Sequence, residues 1–312
     1  MTDTVATQQA ARPRQRAGDR IFAGMTRAAG VVIMLALAGV AIFLTAEGVP
    51  ALGAGEEAFH GASNFVTFVG PLLFGTVLAA TLALLIATPL ALGTALVISH
   101  YAPPRLSKTL GYVIDLLAAV PSVVYGLWGI GYLGVKLAPV YAWLEAHASW
   151  LPFFAGPASP TGRTILTAGI VLSLMVLPII TAITREIFAQ TPTLNQEAAL
   201  ALGATRWEMI RLSVLPYARS GIVSAVMLGL GRALGETMAV AMVLSATGVV
   251  SFNLISSTNP STISANIALN FPESTGIAVN ALIASGLVLF VLTFAVNFTA
   301  RAIVARADRK LS

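Results

Sequence analysis

The chain has 312 residues, of which 57% are hydrophobic and 10% are charged, and its formal net charge is +5. Soluble domains of this size carry about 25% charged residues, so the composition excludes a water-soluble fold and predicts an all-α polytopic membrane protein. The absence of cysteine excludes disulfides, thiolate metal sites and cysteine nucleophiles.

Six apolar stretches are long enough to cross a bilayer, because a membrane helix needs about 20 mostly apolar residues. We expect transmembrane helices at residues 28–46, 72–98, 110–135, 164–184, 221–247 and 277–300. Most of the 18 basic residues fall on one side of this arrangement, which places both termini in the cytoplasm by the positive-inside rule. The net charge is thus a topology signal, so we expect contact with membrane lipid and no nucleic-acid partner.

The chain divides into a tail and a membrane domain. Residues 1–27 are rich in Ala, Arg, Gln and Thr, which predicts a disordered basic cytoplasmic tail ahead of a permease domain at 28–312. Outer connections are expected at 47–71, 136–163 and 248–276, and the last of these is polar enough for a loop with a short helix.

The pattern of the cytoplasmic connection at about 190–216 predicts a helix–turn–helix outside the membrane. Thr193 with Gln196 three residues later fits a capping box, which predicts a helix that starts near Leu194. Gly203 permits a sharp bend. Ala198, Ala199 and Leu202 form a small apolar face that another surface could approach. The alternative is an amphipathic helix that rests on lipid.

This connection resembles the EAA loop of ABC importer permeases, in which Glu-Ala-Ala, Gly and Ile-x-Leu-Pro recur at fixed distances. The matching residues are Glu197, Ala198, Ala199, Gly203, Leu215 and Pro216. Ser213 stands where isoleucine is expected. The resemblance implies that the first helix docks into a groove of a separate ATPase subunit and transmits its movements.

The chain itself carries no motif for ATP hydrolysis. The nearest match to a P-loop, at 156–164, has one residue too many and arginine in place of lysine. No catalytic triad, paired carboxylates or metal-ligand spacing stands out. We therefore expect no catalytic residue, no metal site and no cofactor bound by this chain, with ATP and Mg used by a partner ATPase.

The stretch "GRALGETMAV" at 231–240 places Arg232 and Glu236 inside the fifth span. Arg232 lies 13 residues past Arg219, which corresponds to a depth of about 20 Å. An arginine at the centre of a membrane helix costs about 2.5–3.5 kcal/mol, so both charges need compensation. In a purely structural role they bond across helices, for instance with Asp115, although Asp115 lies only some 8 Å deep.

In a functional role the pair faces a water-filled path. The planar guanidinium of Arg232 suits an anion with paired oxygens. Glu236 would hold Arg232 in position or accept the proton of hydrogen phosphate. Gly231 and Gly235, at GxxxG spacing, would let a neighbouring helix approach, either beside a path or in ordinary packing.

The sequence "GLGRALGETMAV" after an EAA loop resembles the PstC family of phosphate-specific ABC importer permeases, and the likeness covers about 68–300. It implies the type I ABC importer (MetI-like) permease fold in a bacterial plasma membrane. It also implies a substrate path that includes Arg232, Glu236 and Thr237. The implied partners are a PstA-like second permease, a PstB-like ATPase dimer and a PstS-like extracytoplasmic phosphate-binding protein.

Two other transport functions remain open from the sequence. The first is an ABC permease for another oxyanion, such as sulfate or molybdate. The second is a proton-coupled secondary transporter in which Glu236 and Asp115 carry protons. A non-transporting scaffold ranks last, because it needs no charges at the membrane midplane.

Overall fold

The computed structural model describes residues 17–59, 61–245 and 247–308. Within these residues the fold is helical and contains no β-strand, as expected for an all-α protein. The α-helices, in chain order, are α1 (Ala17–Gly48), α2 (Phe65–Leu96), α3 (Pro104–Ala118), α4 (Ser122–Trp128), α5 (Gly134–Ala148), α6 (Ile165–Ala189), α7 (Thr193–Ala201), α8 (Arg206–Met209), α9 (Leu215–Gly235), α10 (Met238–Val243), α11 (Ile263–Asn270) and α12 (Ile277–Asp308).

Short π-helical segments extend several of these helices: Val97–Tyr101 follows α2, Gly129–Leu133 joins α4 to α5, and Ile210–Val214 joins α8 to α9. Six of the resulting helices are long and apolar enough to cross a membrane, which confirms the predicted number. They are Gly18–Gly53, Phe65–Tyr101, Ser122–Ala148, Ile165–Ala189, Arg206–Gly235 and Ile277–Ala302.

The first span starts earlier than predicted. Residues 17–27 were expected in a disordered tail, but α1 is helical from Ala17 onward. The remainder of the predicted tail, 1–16, lies outside the described residues.

The third span is displaced along the chain. It was predicted at 110–135, but it runs from Ser122 to Ala148, into the expected outer connection. Residues 104–118 instead form the separate, amphipathic helix α3. The cause is Pro121, because a proline has no N–H for the helix and disfavours helical geometry in the residue before it.

α2 and α6 form the centre of the molecule. Alanines recur at every fourth position of α2 and are all buried: Ala79, Ala83, Ala87, Ala91 and Ala95. This spacing places them on one face of the helix. Their small side chains allow α6 to approach closely, so that the Thr181 hydroxyl reaches the Ala91 carbonyl at 3.5 Å.

A polar segment closes one end of the bundle. Asn259 is fully buried there, and its side-chain oxygen accepts a hydrogen bond from the Ile165 N–H at 3.1 Å. Its side-chain amide donates to the carbonyls of Ser256, at 2.7 Å, and Arg163, at 3.3 Å. The short helix expected within 248–276 is α11.

Candidate functional site

The fifth membrane span is interrupted at its charged motif. α9 ends at Gly235, and Glu236 takes an extended backbone conformation with φ −68° and ψ 128°. The helix resumes only at Met238, as the short helix α10. The predicted continuous helix over 221–247 is therefore wrong at this point, and the break falls within the candidate substrate path.

Glu236 turns toward the interior of the chain. Its side chain is 9% exposed, and its Oε1 accepts a hydrogen bond from the Ala239 N–H at 3.2 Å. This bond pairs one of the amide groups that the first turn of a helix leaves without a partner. The hydroxyl of Thr237 donates to the Gly235 carbonyl at 3.1 Å. Both side chains thus satisfy backbone groups at the break.

Arg232 is exposed in the isolated chain, one turn before the break. Among the described residues, the one ion pair joins Arg185 to Asp115 at 3.6 Å, so Arg232 pairs with neither Glu236 nor Asp115. Arg232 and Glu236 do not share the face of one continuous helix, because α9 ends between them at Gly235. The Arg185–Asp115 pair was not foreseen from the sequence.

The junction between α3 and the third span lies beside this break. α3 ends at Ala118, α4 begins at Ser122, and α4 packs directly against α10. The two helices are so close that a Cβ built on Gly126 would stand 3.0 Å from the Ala239 Cα. An interrupted membrane helix, such as the fifth span, commonly marks the substrate site of a transporter, because the interruption frees backbone groups and ends helix dipoles at membrane depth.

Tyr125 lies in the first turn of α4, and no sequence pattern singled it out. Its hydroxyl donates to the carbonyl of Leu117, in the last turn of α3, at 3.2 Å. The available signal was Pro121, since a proline disfavours helical geometry in the residue before it and favours a helix start after it.

The helix face beside Arg232 is open. No atom outside the local helix lies within 4 Å of a Cβ built on Gly231 or Gly235. These glycines were expected to admit a neighbouring helix, but no described helix of this chain occupies that face. The surface next to the guanidinium is therefore free for another subunit or for water.

The predicted helix–turn–helix is present on the chain between α6 and α9. Its first helix begins at Thr193, one residue before the expected position. Gly203 has φ +87°, a left-handed conformation that glycine adopts without strain, which confirms the predicted bend. We call residues 190–216 the coupling segment.

The capping box of the coupling segment was assigned to the wrong helix. Thr193 makes no side-chain cap at the start of α7, and the Gln196 amide instead donates to the Thr191 carbonyl at 3.2 Å. A complete capping box forms at α8, where the Thr205 N–H donates to Glu208 Oε2 at 2.8 Å and the Glu208 N–H donates to the Thr205 hydroxyl at 3.3 Å.

The EAA residues divide between two faces of α7. Glu197 and Ala198 are exposed, whereas Ala199 is partly buried against an apolar cluster of this chain that includes Phe188. Leu202 is 90% exposed. The expected continuous apolar face of Ala198, Ala199 and Leu202 is thus split, because successive helical positions point in different directions.

Ser213 connects the two halves of the coupling segment. Its hydroxyl donates to the Asn195 carbonyl of α7 at 3.1 Å. The residue that departs from the EAA pattern therefore replaces an apolar contact with a hydrogen bond. Leu215 packs on the same apolar cluster as Ala199, and Pro216 lies in the first turn of α9, where its missing N–H leaves no helical bond unmade.

The described residues offer little elsewhere for a cofactor. No three His, Asp or Glu side chains among them converge to hold a metal ion. A groove of about 400 Å³ lies between the end of α2 and α3, and its lining is almost wholly apolar. Arg232 and the coupling segment are not part of that groove.

A family model for the binding-protein-dependent transport system inner membrane component matches residues 87–311. The permease protein PstC 2 of a phosphate transport system from Mycobacterium tuberculosis is 47% identical over 94% of this chain and 93% of its own length. The phosphate transport system permease protein PstC from Mesorhizobium japonicum is 38% identical over 94% of this chain and 91% of its own length.

Two solved transporters share the fold at low identity. A bacterial ABC transporter that imports alginate matches 92% of this chain and 99% of its own chain, with a TM-score of 0.54 and 19% identity. An inward-facing MetNI methionine ABC transporter matches 77% of this chain and 94% of its own chain, with a TM-score of 0.51 and 17% identity.

Proposed function

This chain belongs to the family of binding-protein-dependent transport system inner membrane components, and we propose that it is the permease subunit of an ATP-driven phosphate importer. The PstC relatives match nearly its whole length, which favours phosphate over sulfate or molybdate. A proton-coupled transporter is not favoured, because the Glu236 carboxylate is bonded to α10 and Asp115 is paired with Arg185.

The observation that carries the proposal is the position of Arg232 within a membrane span, without an acidic partner among the described residues. α9 is helical from Leu215 to Gly235, so its regular rise supports a depth of about 20 Å for Arg232 relative to Arg219. A cation at this depth is costly unless it meets an anion or water. Within the described residues it has no acidic partner, and its surroundings are open.

Phosphate fits this arrangement. A guanidinium binds paired oxygens through parallel N–H donors, and hydrogen bonds to charged groups are stronger than those between neutral groups. The open face at Gly231 and Gly235 supports a path shared with a second, PstA-like permease. Arg232 then compensates the phosphate charge, while Glu236 and Thr237 hold the break that shapes the path.

The exposed face of the coupling segment is the contact for a PstB-like ATPase dimer. Glu197, Ala198 and Leu202 are accessible, and Gly203 sets the angle between α7 and α8. Ala199, Leu215 and Pro216 attach the segment to the membrane domain. ATP and Mg are used by the ATPase, and this chain takes no catalytic part.

Phosphate reaches the path from a PstS-like binding protein on the outer side of a bacterial plasma membrane. Both termini and the coupling segment lie in the cytoplasm in this arrangement, in agreement with the basic residues near them. Binding and hydrolysis of ATP alternate the path between outward and inward access through the coupling segment.

Substitution of Arg232 tests the proposal. Uptake of labelled phosphate is measured in phosphate-limited cells whose only phosphate importer contains this chain together with its partner subunits. Arg232→Gln should lower uptake on the order of a hundredfold, because hydrogen bonds to charged groups contribute about 1.5–3 kcal/mol each. Arg232→Lys should be intermediate, since it keeps the charge but loses the planar fork.

Arg219→Gln is the matched control, because it removes an exposed arginine at the cytoplasmic end of the same helix. Co-purification of the ATPase and the second permease checks assembly for each variant. Normal uptake by Arg232→Gln would refute the role of the guanidinium. Equal competition by sulfate and phosphate would refute selectivity for phosphate, and uptake that persists without ATP hydrolysis would refute the ATP-driven mechanism.

A further inference from the structure

The helix α3 is set apart from the membrane spans on both sides. Non-helical residues separate it from the end of the second span and, at 119–121, from α4. It has 15 residues, which is too short to cross a bilayer, and none of the six apolar spans includes it. Its position in the molecule therefore depends on side-chain contacts with its neighbours.

The contact of α3 with α6 is built around a glycine. Gly111 is the only glycine of α3, and it is buried together with Ile114. A Cβ built on Gly111 would overlap the Arg185 guanidinium of α6. The guanidinium thus lies directly on the backbone of α3, at the one position of the helix that has no side chain.

The same guanidinium pairs with Asp115, one turn further along α3. The distance between Arg185 Nη2 and Asp115 Oδ2 is 3.6 Å, and the two side chains are 27% and 53% exposed. An ion pair this accessible contributes little to the stability of a fold. Together with the seat at Gly111, however, it holds α3 to α6 at two neighbouring points.

The position of Arg185 on α6 relates this contact to the coupling segment. α6 ends at Ala189, four residues after Arg185, and α7 begins at Thr193. Phe188, on the last turn of α6, is buried in one apolar cluster with Met209 of the coupling segment. Arg185 therefore binds α3 at the end of α6 to which the coupling segment is attached.

The other end of α3 leads toward the break in the fifth span. The Leu117 carbonyl, in the last turn of α3, accepts a hydrogen bond from the Tyr125 hydroxyl of α4. α4 in turn packs against α10, the helix that begins after the break. α3 thus lies between the coupling segment and the break, in contact with helices that lead to each.

We propose that Arg185 and Asp115 are positioning residues for transport, which hold α3 to the end of α6 so that a movement of the coupling segment carries α3 with it. The inference rests on the proposed function, because it takes the ATPase as the source of that movement. Neither side chain touches phosphate. Without the pair, the movement reaches α6 but is no longer passed to α3, and ATP is hydrolysed with less transport.

Removal of either charge tests this role. Transport is measured in the complete importer in vesicles, with saturating phosphate-loaded binding protein, as labelled phosphate moved per ATP hydrolysed. Asp115→Asn and Arg185→Gln should each lower this ratio about threefold, a modest effect in keeping with a partly exposed ion pair. Lys108→Gln is the matched control, since Lys108 is an exposed charge on the same helix and has no ion-pair partner among the described residues.

Combined variants show whether the two side chains act as a pair. Asp115→Asn together with Arg185→Gln should lower the ratio no further than either change alone, because both remove one interaction. Asp115→Arg alone places two arginines together and should lower the ratio most. Addition of Arg185→Asp to that variant restores opposite charges and should raise the ratio again.

Gly111→Ala separates positioning from stability. It keeps both charges, but its methyl group displaces the guanidinium from the backbone of α3. Alanine also favours a helix more than glycine does. We therefore expect a lowered transport ratio with retained thermal stability of the complex. Gly93→Ala on α2 is the control, because a Cβ there meets open space.

The outcomes distinguish this inference from the proposed function. A normal transport ratio in Asp115→Asn and in Gly111→Ala would overturn the role of the pair, while loss of uptake by Arg232→Gln would leave the phosphate permease standing. An exchange of the two charges that transports no better than Asp115→Arg alone would also overturn the role of the pair. Normal uptake by Arg232→Gln would overturn the proposed function and this inference with it.

Discussion

The turn at Gly203 offers a test of the coupling segment that depends on backbone conformation alone. Gly203 has φ +87°, and no atom lies within 4 Å of a Cβ built on it. A substitution there meets open space, so any loss must come from the left-handed conformation and not from a clash within the chain. The predicted partner for this turn is the ATPase subunit.

The expected size of the effect follows from two opposing terms. A left-handed conformation costs an L-residue about 1–2 kcal/mol. Replacing glycine also reduces the freedom of the unfolded chain, which offsets about 0.4–1 kcal/mol of that cost. Gly203→Ala should therefore destabilise the turn by about 1 kcal/mol, which corresponds to roughly a fivefold weaker affinity for an ATPase that binds only the native turn.

A series at Gly203 gives a sharper test than alanine alone. Asparagine visits the left-handed region readily, while a β-branched residue there is an outlier. Affinity for the ATPase should thus fall in the order Gly, Asn, Ala, Val, measured by titrating the detergent-solubilised permease pair with purified ATPase subunit. Aspartate also adopts the left-handed conformation readily. A loss of affinity for the ATPase in Gly203→Asp that is not seen in Gly203→Asn would therefore come from the added charge at the docking surface.

The matched control for this series is Gly39→Ala on α1, where a Cβ also meets open space but φ is not positive. It should bind the ATPase with unchanged affinity. Equal binding by Gly203→Val and the wild type would refute the reasoning, as would equally poor binding by Gly203→Asn and Gly203→Val.

Two other predictions concern hydrogen bonds at the site. Glu236→Ala removes the acceptor for the Ala239 N–H and should lower the free energy of unfolding by about 1 kcal/mol in denaturant titrations, whereas Glu236→Gln keeps an acceptor and should retain stability. Equal stability of these two variants would contradict the capping role. Ser213→Ala removes the bond to the Asn195 carbonyl and should raise hydrogen exchange in α7, with Ser220→Ala on α9 as the control; unchanged exchange would show that this bond does not hold the segment.

The number of membrane spans could be predicted from hydropathy, but the bounds of the third span and the interruption of the fifth could not. Pro71 and Pro89 lie inside α2, where packing against neighbours tolerates them, whereas Pro121 ends a helix. A proline inside an apolar run therefore does not decide between a kink and a break. The break at Glu236 has even less of a signal, because it depends on the side chain finding the Ala239 N–H after the chain has turned.

The candidate functional residues could be singled out from the sequence only where a motif carried them. Arg232 stood out because a charge is rare in an apolar run, and its depth followed from helical rise. Tyr125 did not, since a single tyrosine in a membrane span is unremarkable until the fold brings its hydroxyl to the Leu117 carbonyl. The capping box moved from Thr193 to Thr205 for a similar reason, because both stretches fit the pattern and the three-dimensional contacts selected one.

The alanine stripe on α2 has a consequence for how the molecule changes shape. Side chains this small leave almost no space between the two helices, so we expect α2 and α6 to move as a single rigid body. A change of access would then fall to connections outside this pair, such as the break at Glu236 and Thr237, one turn beyond Arg232. On the proposed function, the segment that shapes the path is therefore also the segment that flexes.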